Sequence, residues 1–418
     1  MLRINHFLWA IFIFFPLQVN ALTFEESILK AVENSTEIKI EQKRAELAGA
    51  SRYDALSTFL PSANLSYRDG KRETEISNSE IQKRDEYNQS LTLTQPLFDG
   101  FSGLSKLSES HFNTKSAIEN LNYKKNTVAM SVCEAYFNIL KYRHITLIEE
   151  ELIENYQEVS SLAKQRLQLK DISFGEYNDY ELRAKRYLFE TNQNKLKLKE
   201  YELLFINYTK QEATDLSYPK IDDRFNDVEN FIEYAKVKNP RIKSLDLAYK
   251  AKKAAVAVEA GKLLPRISLN AQYDKQNASY FLNNQNLRNR SIYLNFSIPI
   301  FQSGSEYNAI SKINKEKQIA NLEKKLAIEE IERTTHQEYI KYIDLKQSLL
   351  ITEELYENSR KSFELLEQRF AKKDIDKIDF LLKKIDLAEI EKQLYNARSD
   401  FIISYFRLKF LINEIIKK

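Results

Sequence analysis

The sequence predicts a mainly α protein with a small β part, in which one structural plan is used twice. Three observations carry that prediction. The chain of 418 residues holds only 7 glycines and 7 prolines, so few positions supply the backbone angles that turns need, and long helices are favoured. Four short segments alternate apolar and polar residues with the period of a strand. The two halves also match at three collinear places, at offsets of 203 or 204 residues, the mark of an internal duplication.

Residues 1–21 come first and stand apart. Arg3, an apolar run over 7–19 and the small-ended Val19-Asn20-Ala21 form a secretory signal peptide, cleaved before Leu22. The run is shorter than the roughly 20 residues a membrane-spanning helix requires. No later stretch is long and apolar enough to span a bilayer as a helix, so the exported chain is soluble, secreted or held in a membrane as a β-barrel. The lone Cys133 lies in a helical pattern and reads as a small packing residue, since it has no second cysteine to pair with.

Two repeats follow, 22–219 and 220–418, each reading helix, strand, polar loop, strand, very long helix, short turn, helix. FLPSANLSY at 59–67 is echoed by LLPRISLNAQY at 263–273, QPLFDG at 95–100 by IPIFQSG at 298–304, and RLQLKDI at 166–172 by RFAKKDI at 369–375. Pro61, Pro96, Pro265 and Pro299 mark helix–strand junctions, because a missing N–H and a restricted preceding residue stop a helix. Gly100 and Gly304 close the second junction of each repeat, and Pro219 and Pro240 bracket the connection between the repeats. Polar stretches at about 69–85 and 274–289 read as exposed hairpin loops.

The strands alternate cleanly. Ile292, Leu294, Phe296, Ile298 and Ile300 share one face, and Ser291, Tyr293, Asn295 and Ser297 the other; Leu91, Leu93 and Leu97 stand opposite Ser90, Thr92 and Thr94. Segments 63–68 and 267–273 behave likewise. An apolar face backed by small polar residues is what a water-filled membrane barrel requires. Four strands cannot enclose a lumen, for which about eight are needed, so several chains would share one barrel. The alternative is a soluble sandwich, for which the chain offers no second sheet.

After each second strand comes a stretch without Pro or Gly, 104–172 and 305–380, on the order of 100 Å long as a helix. Apolar seams recur at alternating three- and four-residue steps. One runs Ile139, Tyr142, Thr146, Ile153, Tyr156, Ser160, Ala163, Leu167, with Glu149 an exception, and the other from Tyr342 to Phe370. That spacing predicts coiled-coil packing against neighbouring helices.

Charge and motifs exclude other classes. With 63 basic against 60 acidic side chains the net charge is +3, which is no nucleic-acid signature. His111, His144 and His336 lie on separate helical stretches without ligand-spaced partners, and no Gly-rich phosphate loop exists. An enzyme has no residues to stand on, and neither a metal nor a cofactor is expected. An exported periplasmic coiled-coil scaffold without pore activity is the remaining rival; it leaves the four amphipathic strands unexplained.

Together, the leader, the duplication, LPSANLSY and LPRISLN leading into strands, and QPLFDGF and SIPIFQSGSEY leading into long helices resemble the TolC family of outer-membrane efflux and secretion channels. The resemblance implies a homotrimer in a Gram-negative outer membrane. Each protomer would give four strands to a twelve-stranded, lipid-embedded β-barrel, continued by a twelve-helix α-barrel in the periplasm. It also implies docking to a periplasmic adaptor, or membrane fusion protein, and to an inner-membrane transporter, proton-driven or ABC, for drug efflux or type I secretion.

By the same resemblance the periplasmic entrance lies at the helix–helix turns, 170–180 and 372–382. Asp379 matches the first of two aspartates that ring it, and Glu176 an acidic partner in the links that hold it closed; Asp374 and Asp376, close by in the second turn, are expected with Glu176 to shape the local field. The second aspartate falls on Leu382, and the tyrosine and arginine of the family's closing links fall on Phe370 and Ile375. The Val-Gly usual before these turns is replaced by Leu169-Lys170 and Lys372-Lys373.

Overall fold

The computed structural model describes residues 23–74, 82–221, 225, 227–280, 283–301 and 303–416; the signal peptide expected at 1–21 lies outside them. Element order is the same in both halves. Helices α1 (Phe24–Asn34) and α2 (Thr36–Ser57) precede strands β1 (Ser62–Thr74) and β2 (Gln82–Phe98), then α3 (Ser102–Gln168) and α4 (Phe174–Thr209). Helices α5 (Val228–Lys238) and α6 (Pro240–Gly261) precede β3 (Arg266–Tyr280) and β4 (Asn283–Ser297), then α7 (Ser305–Ala371) and α8 (Lys377–Leu411).

The single opening helix expected in each repeat is two helices. Ser35 caps α2 by accepting from the Ile38 N–H, and Asn239 caps α6 by accepting from the Arg241 N–H at 2.9 Å, with Pro240 at the first helical position. A proline there forfeits only an N–H that the helix leaves unused. Pro240 therefore divides α5 from α6 and is not a boundary of the connection between the halves.

The strands form one antiparallel meander in the order β1-β2-β3-β4. They run further than alternation alone predicts: Asp69 pairs with Tyr87, Thr74 with Gln82, Asp274 with Asn289 and Tyr280 with Asn283. Most of the polar stretches read as loops are strand, since hairpin pairing satisfies the backbone whatever the side chains are. At the other end β4 stops at Ser297, so Ile298 and Ile300 lie beyond the strand. Pro96 sits inside β2, not at its end, where the β2–β3 register shifts, one of the places in a sheet that tolerate proline.

Cross-strand rows confirm the two faces. One carries Ala63, Leu93, Ala271 and Ile292 side by side; the other carries Asn64, Thr92, Gln272 and Ser291, and next to them Ser62, Thr94, Asn270 and Tyr293. The polar face hydrogen-bonds within itself, Thr94 Oγ1 to Asn270 Oδ1 at 2.8 Å and Gln272 Nε2 to Asp274 Oδ1 at 3.0 Å. Among the described residues no helix packs against the sheet to any extent, and Leu65, Ile292 and Leu294 are 74%, 77% and 63% exposed. A soluble sandwich would cover that face.

Helix order repeats strand order. Helices α2, α3, α6 and α7, which adjoin the four strands, pack in that sequence, and further down α4, α3, α8 and α7 do the same. The two 67-residue helices α3 and α7 each extend roughly 100 Å at 1.5 Å per residue and run through both layers. Burial is uneven along them. Beside the short helices α1 and α5 lies an aromatic core in which Phe24 packs on Tyr136, Phe137 and Phe406, with ring centres 4.6 to 5.4 Å away. A second, smaller cluster of Leu152, Tyr156, Val159, Ile378, Leu381 and Ile385 closes the far end.

Candidate functional site

Two places stand out in each repeat: the joint where sheet becomes helix, and the tip where each long helix turns back. At the joint, two consecutive residues take left-handed backbone angles in both repeats. They are Gly100 (φ 71°) with Phe101 (φ 65°), and Ser303 (φ 58°) with Gly304 (φ 73°). Gly100 thus corresponds to Ser303 and Phe101 to Gly304, so the glycines matched by motif occupy successive positions of one turn. Only Gly100 is crowded. A Cβ there would collide with the Gly261 carbonyl oxygen and lie 2.8 Å from Leu264 Cβ, whereas one on Gly304 would meet nothing within 4 Å.

Asp99 anchors the start of α3, accepting from the Gly103 N–H at 2.5 Å, and Ser102 Oγ donates to the Val258 carbonyl at 3.0 Å. Pro61 and Pro265 each directly precede a strand and Pro299 follows β4 in irregular backbone. Phe98 and Phe101 meet edge to face at 5.1 Å across the turn.

The tips of the two helical hairpins are built alike. Lys170 (φ 63°) and Lys373 (φ 60°) take the left-handed position that usually favours glycine. The Asp171 N–H donates to the Arg166 carbonyl at 2.9 Å and the Asp374 N–H to the Arg369 carbonyl at 3.0 Å. The helices therefore end at Gln168 and Ala371, short of the stretches to 172 and 380 that lack Pro and Gly.

The four acidic residues singled out in the sequence have different surroundings. Glu176 closes a capping box: its carboxylate accepts from the Ser173 N–H at 2.8 Å and from Ser173 Oγ at 2.9 Å, and these bonds hold its pKa below the ordinary glutamate value. Asp376 caps α8 through the Ile378 N–H and pairs with Arg166 of α3 at 2.5 Å. Asp374 pairs with Arg369 of its own turn at 3.1 Å. Asp379, in the first turn of α8, is exposed and has no hydrogen bond or ion pair among the described residues.

At the positions of the expected closing links, Phe370 stacks on Phe380 at 4.2 Å and Ile375 is half-buried; Leu382, at the position of the second aspartate, is half-buried against the small cluster.

Sequence reasoning missed the polar spine that joins α3 to α8. Arg166–Asp376, Glu158–Lys377, Glu151–Lys384 and Glu149–Lys392 pair successively along the antiparallel helices. Glu149 is the seam's exception, and the charge at a seam position was the only signal. It is fully buried, with Oε1 2.9 Å from Lys392 Nζ and accepting from Asn194 Nδ2 at 2.8 Å. Burial pushes the Lys392 pKa down, but bonds to Glu149 and Glu389 outweigh it and leave the pKa raised.

Of the histidines, His144 is a packing group and His111 and His336 are exposed; Cys133 also packs. His144 stacks on Tyr395 at 4.3 Å, burial lowering its pKa, and buried Cys133 has its thiol pushed well up by desolvation. No cluster able to hold a metal ion occurs among the described residues.

The fold is thus a four-stranded sheet left uncovered among the described residues and prolonged strand for strand by long helices. The family model for the outer membrane efflux protein matches residues 28–169 and 231–414, so the chain belongs to that family. It is thereby an outer-membrane efflux channel, in a family of transport proteins.

Solved structures share the fold. The CmeC outer membrane channel of Campylobacter jejuni is 16% identical with a TM-score of 0.73, covering 94% of this chain and 85% of its own. VceC of Vibrio cholerae is 12% identical with a TM-score of 0.75, covering 94% and 95%. The open state of Neisseria gonorrhoeae MtrE is 12% identical with a TM-score of 0.72, covering 94% and 89%. No curated protein sequence matches.

Proposed function

We propose that three copies of this chain form the exit duct of a tripartite efflux or type I secretion system. The duct receives cargo from a periplasmic adaptor and an inner-membrane transporter, proton-driven or ABC. The observation that carries this reading is the sheet: β1 and β4 are its outer strands, each with an unpaired edge, and its apolar face is bare. Unpaired edges invite further strands, and closing a lumen takes about eight or more, so two further copies supply a twelve-stranded wall.

The helical margins fit the same arrangement. On α4, Leu182, Phe189, Leu196 and Leu203 recur every seven residues and are 56% to 64% exposed, while Leu322, Ile340 and Leu350 lie exposed on α7 at the opposite margin. These stripes would meet between copies as coiled-coil seams. The matching element order of 22–219 and 220–418 supports duplication of one unit, with the junction prolines and glycines as repeated joints between sheet and helix.

Of the four acidic residues Asp379 alone has no hydrogen bond or ion pair among the described residues, and three copies of it would line the entrance and favour cations. Glu176, Asp374 and Asp376 would act there chiefly by holding the turns. Membrane fractionation followed by light scattering in detergent tests the reading: an outer-membrane species with the mass of three chains supports it, and a monomer in the soluble periplasm overturns it.

A further inference from the structure

On the bare face of the sheet, apolar character stops one row earlier on β4 than on β1 and β2, where Leu65 and Leu91 share the row of Arg290. Along β4 it runs through Phe296, Leu294 and Ile292, and the next residues on that face are Arg290 and Arg288. Lys275 of β3 is the direct cross-strand partner of Arg288, and Tyr273 that of Arg290. Residues two apart on a strand lie about 6.7 Å from each other, so three cations share one small area on the hairpin side of the apolar band.

That juxtaposition is unfavourable on its own terms, since like charges directly opposite one another destabilise a strand pair. Among the described residues, Lys275, Arg288 and Arg290 have no ion-pair partner. On β1 and β2 some charges at this end do find partners: Arg72 lies 3.6 Å from Glu86, and Lys71 faces Asp85. The cations also sit among aromatic rings. The Arg290 guanidinium is 5.7 Å from the centre of the Tyr273 ring, and Lys275 Nζ is 6.0 Å from that of Tyr87. Tyrosines beside an apolar band mark the level where hydrocarbon meets headgroups.

We propose that Lys275, Arg288 and Arg290 bind the phosphate of a phosphorylated lipid in the outer leaflet. The inference rests on the sheet being a membrane wall with its hairpins outward. Guanidinium groups take phosphate oxygens in pairs, and an anion held here relieves the opposed charges. The ligand is a lipid and not a free anion because the cations continue the same face as Ile292 and Leu294, along which acyl chains would lie.

The test titrates the detergent-purified full-length protein with bisphosphorylated lipid A, with dephosphorylated lipid of the same acyl chains, and with inorganic phosphate, and counts bound molecules by native mass spectrometry. Phosphorylated lipid A alone should be retained, and K275Q/R288Q/R290Q should bind it about tenfold or more weakly. The conservative variant K275R/R288K/R290K should keep most of the binding, which separates lost charge from lost folding.

Equal retention of the dephosphorylated lipid, or unchanged lipid A binding by the glutamine variant, would overturn the proposal. So would a glutamine variant that loses only its lipid-free oligomer, for then the cations serve contacts between copies. The channel reading is judged separately: it survives any of these results if the wild type inserts and conducts.

Discussion

Lys392 of α8 lies 2.9 Å from Glu149 of α3, whose carboxylate is fully buried, and the pair sits between the aromatic core and the small cluster near the tip. Removing one partner strands a buried charge. Lys392→Met or Glu149→Leu should each cost about 3–5 kcal/mol, while the double variant recovers most of that loss. Thermal melting of the four proteins followed by circular dichroism checks the coupling. Because the folded Lys392 pKa is raised, its contribution is fully present below the ordinary lysine pKa and fades only as pH rises through the higher folded value. Between neutrality and about pH 10, this site should therefore not weaken the protein.

At the first tip, Ser173 and Glu176 cap α4 reciprocally. The depressed Glu176 pKa means that the cap is complete above the ordinary glutamate value and is lost as pH falls through the lower folded one. Hydrogen exchange of the amides at 174–177 should accelerate in Ser173→Ala at neutral pH and in the wild type only in acid. Identical protection in both proteins at neutral pH would remove the cap.

The two glycines of the joints should respond unequally. Gly100→Ala forces a Cβ into the Gly261 carbonyl as well as straining a left-handed backbone; Gly304→Ala imposes only the backbone strain. The second should cost roughly 1–2 kcal/mol, and the first about 1–3 kcal/mol more from overpacking. Yield of membrane-inserted protein, compared at two growth temperatures, reads the difference.

Asp379 carries the entrance hypothesis. Asp379→Asn should lower the preference for cations over anions and weaken block by multivalent cations, with no change in melting temperature, since the side chain has no partner to lose. Reversal potentials under a salt gradient measure it, and unchanged selectivity would assign the entrance to other residues.

Much of this architecture was legible in the chain. The offset between Pro96 and Pro299 revealed the duplication, and the alternation from Ser291 to Ser297 gave both faces of β4. The α7 seam from Tyr342 to Phe370 is the stripe turned toward α8.

What was not legible has physical causes. Asp69 to Thr74 look like loop because polar residues lack alternation, yet their backbone pairs with β2. Lys170 and Lys373 end their helices at left-handed positions without the glycine that would have signalled it. The burial of Glu149 depended on Lys392, 243 residues away, and no spacing rule links them. Asp379 and Glu176 were found by resemblance and Asp374 and Asp376 by their place in the turn, but only the structure separates the three that cap or pair from Asp379, which does neither.

The most direct test of the central claim is the current through a planar lipid bilayer into which the purified protein has been inserted. A shared barrel continued by helices predicts uniform, discrete conductance steps that begin when the three-chain species is added. Protein that is demonstrably inserted as that species yet passes no current above the bare bilayer would contradict it.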